Sequence, residues 1–127
     1  MKIKFANQEI EALCSEYEPG VNESALEKYV AKKSKGERTA AEVMRGIAIL
    51  KASKNPSEIP PWYNYHLLKY DRSGQGSIDV YSRGKGKKGG RGNWRTVFEP
   101  KSNCDNINKE SSIEEIKIID LIKDYHD

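Results

Sequence analysis

The apolar residues change their spacing near Asn55-Pro56, and this change restricts the folds that are open to the chain. Before this point they recur every three or four residues, which is typical of amphipathic helices. After it they alternate with polar residues, which is typical of half-buried strands. The order predicts an α+β fold, in which N-terminal helices pack on a small twisted antiparallel sheet.

The first half of the chain predicts a short strand, Met1–Ala6, followed by three helices. A residue that can cap a helix stands before each helical segment, because its side chain can accept a hydrogen bond from the first turn. These caps are Asn7, Ser24 with Glu27, and Thr39 with Glu42. Asn55-Pro56 ends the third helix, since a proline disfavours helical geometry in the residue before it.

Alternating segments in the second half predict four strands, at 63–70, 77–82, 93–99 and 115–123. The connections between them are too short to carry crossover helices, so the strands are expected to pair as an antiparallel meander. The last segment is apolar at almost every position, which favours a central strand over an edge strand.

The positive charge is concentrated in one part of the chain. The formal net charge is +3, and the stretch from Lys69 to Lys101 is rich in Lys and Arg and poor in acids. This distribution predicts a surface that faces a polyanion.

The length of 127 residues predicts a single domain, 1–127. Cys14 and Cys104 lack metal-type spacing and are expected to be free thiols, although one disulfide bridge between them stays open. Neither a signal peptide nor a long apolar stretch is recognisable. We therefore expect a cytoplasmic protein without membrane contact.

Two groups of side chains are candidates for chemistry. The middle of the chain has His66 and Lys69, then Arg72, then Arg95 within a strand. For His66 and Lys69 the alternative is a half-buried histidine and a solvated lysine, since residues three apart on a strand face opposite ways. The second group is Asp124, Tyr125 and His126, which otherwise form a polar tail without a role.

This set of side chains suits the cleavage of a phosphodiester bond in RNA. A histidine can act as acid or base near neutral pH. Arg and Lys can balance the charge of the transition state, which is usually the largest contribution. The chemistry needs no metal and no cofactor, and the sequence has no phosphate-binding loop motif.

The order of the motifs resembles the HigB-type branch of the RelE/ParE superfamily, the toxins of type II toxin–antitoxin systems. The resemblance covers roughly residues 56–126. It rests on a proline-containing lead-in, a His-x-x-Lys-x-Asp-Arg segment, a Gly-Asn-Trp-Arg strand and a terminal Asp-Tyr-His; in this chain these begin at Pro56, His66, Gly92 and Asp124.

The resemblance implies a RelE-like fold and an endoribonuclease that cuts mRNA on the ribosome. It implies acid/base roles for His66, Asp124 and His126, and transition-state stabilisation by Arg95. Substrate would be bound by Lys69, Arg72 and Tyr125. The implied partners are the ribosome, mRNA and a small helix-turn-helix antitoxin of the HigA type.

Two inserts extend the connections relative to this family, at 83–92 and 101–112. The first is glycine-rich and basic, and it is either a flexible hairpin tip or a segment that binds the RNA backbone without sequence specificity. The residues that would bind the backbone are Arg83, Lys85, Lys87, Lys88 and Arg91.

Two other functions remain open at this point. One is a non-enzymatic poison of DNA gyrase, as in the ParE branch, although such chains generally lack the paired histidines. The other is a basic RNA-binding domain without activity, in which both histidines are structural.

Overall fold

A computed structural model describes residues 1–21, 23–82 and 94–124. Its helices are α1 (Gln8–Ser15), α2 (Ala25–Lys33) and α3 (Ala40–Ala52), and its strands are β1 (Lys2–Phe5), β2 (His66–Leu67), β3 (Gly76–Asp79), β4 (Trp94–Ser102) and β5 (Ile113–Asp124). Three N-terminal helices thus pack on a five-stranded, mostly antiparallel open sheet, which confirms the predicted α+β class. No helix in the described ranges is long and apolar enough to cross a membrane.

The helices begin where the cap residues predict. The side chains of Asn7 and Ser24 accept hydrogen bonds from backbone N–H groups three residues later. Thr39 and Glu42 form a complete capping box, in which each side chain bonds to the other residue's backbone N–H. Short-range hydrogen bonds therefore set the start of every helix.

The strand order in the described sheet is β1-β5-β4-β3-β2. The strands from β2 to β5 pair with their sequence neighbours in antiparallel fashion, so the predicted meander is confirmed. The first strand adds to this meander by pairing in parallel with β5, with Ile3 opposite Ile116. β5 therefore lies between β1 and β4, as its apolar sequence predicts.

The predicted strand at 63–70 is wrong over most of its length, since only His66–Leu67 pairs as a strand. Pro61 begins a 3₁₀ turn that runs to Tyr63, and Asn64 follows in the left-handed conformation at φ 51°. Proline is pre-set for such a turn and asparagine tolerates positive φ better than most residues. A second turn, Tyr70–Arg72, begins shortly after the strand.

The core lies between the helices and one face of the sheet. Phe98, Ile116 and Ile118 on the strands are fully buried, as are Val43 and Leu50 on α3. Burial is not confined to one face, since all four residues of β3 are buried and the consecutive Val97 and Phe98 on β4 are both fully buried.

The connection between α2 and α3 is tied to the ends of two strands. The Nε atom of Arg38, a buried residue, donates to the carbonyl oxygen of Val80 at 2.7 Å. The indole N–H of Trp94 donates to the carboxylate of Glu37. These bonds hold the end of β3 and the start of β4 against the helices.

Replacement of Ile118 by Ala should lower the free energy of unfolding by about 2–5 kcal/mol, because it leaves a cavity at a fully buried position of the central strand. Urea denaturation would measure the change. The control is Lys117→Ala on the same strand, where loss of the exposed ion pair with Glu99 should cost less than about 1 kcal/mol. Equal losses in the two variants would contradict the placement of β5.

Candidate active site

Arg95 points away from the helices. Its neighbour Trp94 points toward them, as the bond to Glu37 shows, and successive side chains on a strand face opposite ways. Asp79 on β3 is the residue directly opposite Arg95 and therefore shares its face. Arg95 and Asp79 both lie at the end of the sheet where β3 stops and β4 begins.

His66 lies on the same face and contacts Arg95. It pairs with Ser77, which precedes Asp79 by two residues and so has the same orientation. The Nη1 atom of Arg95 lies 3.1 Å from the Nε2 atom of His66. The sequence placed these two residues in one candidate site, and the structure joins them across the intervening strand.

The hydrogen bonds of His66 assign its protonation state. Arginine is only a donor, so the Nε2 atom that faces Arg95 must be an acceptor. The Nδ1 atom lies 2.9 Å from the carbonyl oxygen of Asn64 and must therefore carry the proton. The two contacts fit the tautomer that has its proton on Nδ1 and its lone pair on Nε2.

Asp79 holds the guanidinium group in place. Its Oδ1 atom lies 3.5 Å from Nε of Arg95, and the two side chains are only 3% and 13% exposed. A charge with so little access to water needs a counter-charge, which this carboxylate provides. Sequence reasoning missed Asp79, although its place in the alternating segment SIDV puts it on the polar face.

Asp124 lies on the other side of the sheet. It pairs with Trp94, which points toward the helices, and it lines a recess there together with Lys33 and Lys35. Its neighbour Lys123 is the residue that pairs with Arg95. The structure therefore does not bring Asp124 to the pair of His66 and Arg95, because a shift of one residue along a strand reverses the direction of a side chain.

The other predicted site residues are distributed as follows. Lys69 is exposed just before the turn Tyr70–Arg72, and the Nη1 atom of Arg72 donates to Oε1 of Gln75 at 3.1 Å. Several predictions fall outside the described residues, namely those for Tyr125, His126, Arg83, Lys85, Lys87, Lys88 and Arg91.

Among the residues that the structure does describe, no group of three or more His, Cys, Asp or Glu side chains could hold a metal ion.

A recess of about 240 Å³ lies beside His66, between strand β2 and the connection from β4 to β5. The residues that line it are Tyr65, His66, Leu67, Ile107, Asn108 and Glu110. The Tyr65 ring is stacked on Phe98 at a centroid distance of 5.9 Å. Burial, and to a smaller extent the charge of Glu110, raise the pKa of Tyr65 to about 12, so its hydroxyl is neutral at physiological pH.

Hydrogen bonds between serines order the connection that forms one wall of this recess. The hydroxyl groups of Ser102 and Ser112 are 2.6 Å apart, which closes the base of the connection. The Ser112 hydroxyl also donates to backbone carbonyl groups inside it, to Lys109 at 2.6 Å and to Asn106 at 3.2 Å. Buried hydroxyl groups thus help to shape this mostly polar segment, in which Ile107 also packs against the core.

Comparisons with protein-family models, with curated proteins and with solved structures found no match for this chain. The functional interpretation therefore rests on the geometry of the described residues and on the order of the sequence motifs.

Asp79→Asn should lower the free energy of unfolding by about 3 kcal/mol, because it leaves the nearly buried Arg95 guanidinium without its counter-charge. The matched control is Glu115→Gln, which removes the more exposed pair with Lys4 and should cost less than about 1 kcal/mol. Chemical denaturation of both variants would test this difference. If the two variants lose the same stability, the pair of Asp79 and Arg95 does not hold this part of the sheet.

The two cysteines, both free, should differ in reactivity toward iodoacetamide, because the thiolate is the reactive form. Hydrogen bonds from Ser102, and then from Ser112, lower the pKa of the exposed Cys104 thiol. Burial raises the pKa of Cys14 to about 11. As the pH rises, Cys104 should therefore react first, and Cys14 should react only in the unfolded chain.

Mass spectrometry of peptides would follow both alkylation reactions. Ser102→Ala should move the pH midpoint of Cys104 alkylation upward, because it removes the main hydrogen bond to the thiolate. Equal rates at Cys14 and Cys104 in the native protein would contradict the described burial.

Proposed function

We propose that this protein is an endoribonuclease that cuts mRNA on the ribosome, as the toxin of a type II toxin–antitoxin system of the HigB type. The observation that carries this proposal is the contact between His66 and Arg95, in which the Nε2 atom of the imidazole lies 3.1 Å from Nη1 of the guanidinium group. A proton acceptor and a positive charge in contact are two of the groups that RNA cleavage by internal attack uses.

The first half of the reaction uses these two residues. A phosphate group of the RNA binds to Arg95, whose Nη1 atom turns from His66 to a phosphate oxygen and so releases the lone pair of Nε2. His66 then takes the proton of the ribose 2′-hydroxyl group. The 2′-oxygen attacks phosphorus, and Arg95 balances the negative charge that collects on the phosphate oxygens.

The second half breaks the bond between phosphorus and the 5′-oxygen, which must receive a proton. The products are a 2′,3′-cyclic phosphate and a 5′-hydroxyl group. The motif resemblance assigns the proton donor to His126. His126 lies outside the described residues, so this assignment rests on the resemblance alone. Asp124, on the other side of the sheet, receives no proton-transfer role in this proposal.

The remaining assignments rest on the resemblance and on charge. Lys69 is exposed and Arg72 half-buried near β2, where both are suited to bind RNA phosphates next to the one that is cut. Tyr125 would position a base. The basic insert at 83–92 would bind ribosomal RNA, and a HigA-like helix-turn-helix antitoxin would be the protein partner.

Loss of cleavage in His66→Ala and in Arg95→Lys would support this mechanism. Each should lower the rate by about 100-fold or more, since each removes one group that acts in the transition state. Arg95→Lys keeps the charge opposite Asp79 but loses the forked donor geometry, so the fold should survive. The measurement is mapping of message 5′ ends after induced expression, together with growth arrest.

The control is Lys101→Ala, an exposed cation at the far end of the strand that carries Arg95, which should cleave normally. Circular dichroism would confirm that each variant is folded. Growth arrest with intact messages in both site variants would instead indicate gyrase poisoning. RNA binding without arrest or cleavage by the unmodified chain would indicate an inactive binding domain.

A further inference from the structure

We propose that the recess beside His66 is a nucleobase pocket that takes guanine. This inference rests on the proposed function, because it concerns which nucleotide lies at the cleavage site. The recess has a volume of about 240 Å³ and is lined by an aromatic ring, an amide, a carboxylate and the backbone of an edge strand. Such a combination is typical of sites that recognise an unpaired base.

The edge strand supplies backbone hydrogen-bonding groups to this recess. β2 is the last strand of the described sheet and pairs only with β3. Leu68 donates to the carbonyl oxygen of Gln75, which makes this a hydrogen-bonded pair. In an antiparallel ladder the bonded and non-bonded pairs alternate, so the N–H and C=O groups of Leu67 point away from β3. Leu67 lines the recess, and its edge groups are therefore directed to that side.

The connection from β4 to β5 forms the opposite wall and carries the side chains that would recognise the base. Glu110 and Asn108 are exposed and line the recess from the connection that Ser102 and Ser112 order. A carboxylate accepts two parallel hydrogen bonds from a ligand that presents two adjacent donors. An amide both donates and accepts, so Asn108 can bind a base carbonyl or ring nitrogen next to those donors.

Guanine is the base that fits this set. Its N1–H and its N2 amino group lie side by side and match the two oxygens of Glu110. In adenine and cytosine the amino group is next to a ring nitrogen lone pair, which would face a carboxylate oxygen. In uracil the single N–H lies between two carbonyl groups, which would repel it. A mismatched base loses these paired hydrogen bonds and sets a lone pair against the carboxylate, so it should bind less tightly.

Tyr65 supplies the apolar surface for the base. Its ring is fixed by stacking on the buried Phe98. Its hydroxyl oxygen is buried and has no hydrogen-bond partner among the described residues, so the ring forms the wall while the hydroxyl lies beneath the surface. An aromatic wall of this type contributes to base binding through stacking.

The position of the recess connects base recognition to cleavage. His66 is one of the residues that line the recess, and its Nε2 atom contacts Arg95. Because His66 borders both the recess and Arg95, the proposal places the nucleotide held there next to the phosphate on Arg95. The protein should therefore cut next to guanine.

The first test compares ribosome-bound messages that differ only in the base next to one cleavable phosphate. The unmodified protein should cut the guanine substrate at least about tenfold faster than the other three, which is the usual discrimination of a bidentate base contact. Glu110→Gln should lower the rate for guanine about tenfold and abolish this preference. The control Glu114→Gln removes an exposed carboxylate of β5, outside the recess, and should keep it.

The second test measures binding without cleavage. Titration of the protein with 3′-GMP and with 3′-AMP, followed by nuclear magnetic resonance, should show tighter binding of 3′-GMP that weakens about tenfold in Glu110→Gln. Cleavage that depends on His66 but shows no base preference, with equal binding of the two nucleotides, would overturn the pocket alone. Selective 3′-GMP binding without any RNA cleavage would keep the pocket and reject the proposed nuclease.

Discussion

The pairing of β4 with β5 is the constraint on which the rest of the structure depends. β5 lies between β1 and β4 and buries Ile116 and Ile118 against the helices, so it cannot slide without exposing core residues. The ladder contains register shifts between Arg95 and Phe98, where the two strands do not advance in step. Irregularities of this kind are common next to functional sites because they re-aim side chains. Here they lie beside the residue that contacts His66.

Arg95 combines a structural contact with a proposed chemical role. Its Nε atom faces the carboxylate of Asp79, and its Nη1 atom faces the imidazole of His66. The buried carboxylate therefore holds the Nε side of the guanidinium group, while Nη1 is the donor that the proposed mechanism turns from His66 to a phosphate oxygen. Gly76 contributes at close range, because a Cβ atom there would lie 2.9 Å from the Phe98 ring and 3.2 Å from the carbonyl oxygen of His66. The absence of a side chain at Gly76 therefore leaves room for the Phe98 ring and for the backbone of β2.

Of the two polar inserts in the second half of the chain, the structure describes the one between β4 and β5. The connection from β4 to β5 is shaped by the hydroxyl groups of Ser102 and Ser112 and forms a wall of the recess beside His66. The basic insert at 83–92 lies outside the described residues, and its role in binding RNA stays a prediction. A scaffold of paired strands that carries variable loops is a common way to place binding groups.

The sequence by itself determined the caps of the three helices, the antiparallel meander and the central place of β5, because capping and periodicity act over a few residues. It also named His66 and Arg95 among the residues of one candidate site. Only the tertiary structure decided that β1 pairs in parallel with β5, that Asp79 faces Arg95 and that Asp124 faces the helices. These contacts depend on strand register across long connections, and a shift of one residue reverses the face of every side chain. No local pattern carries that information.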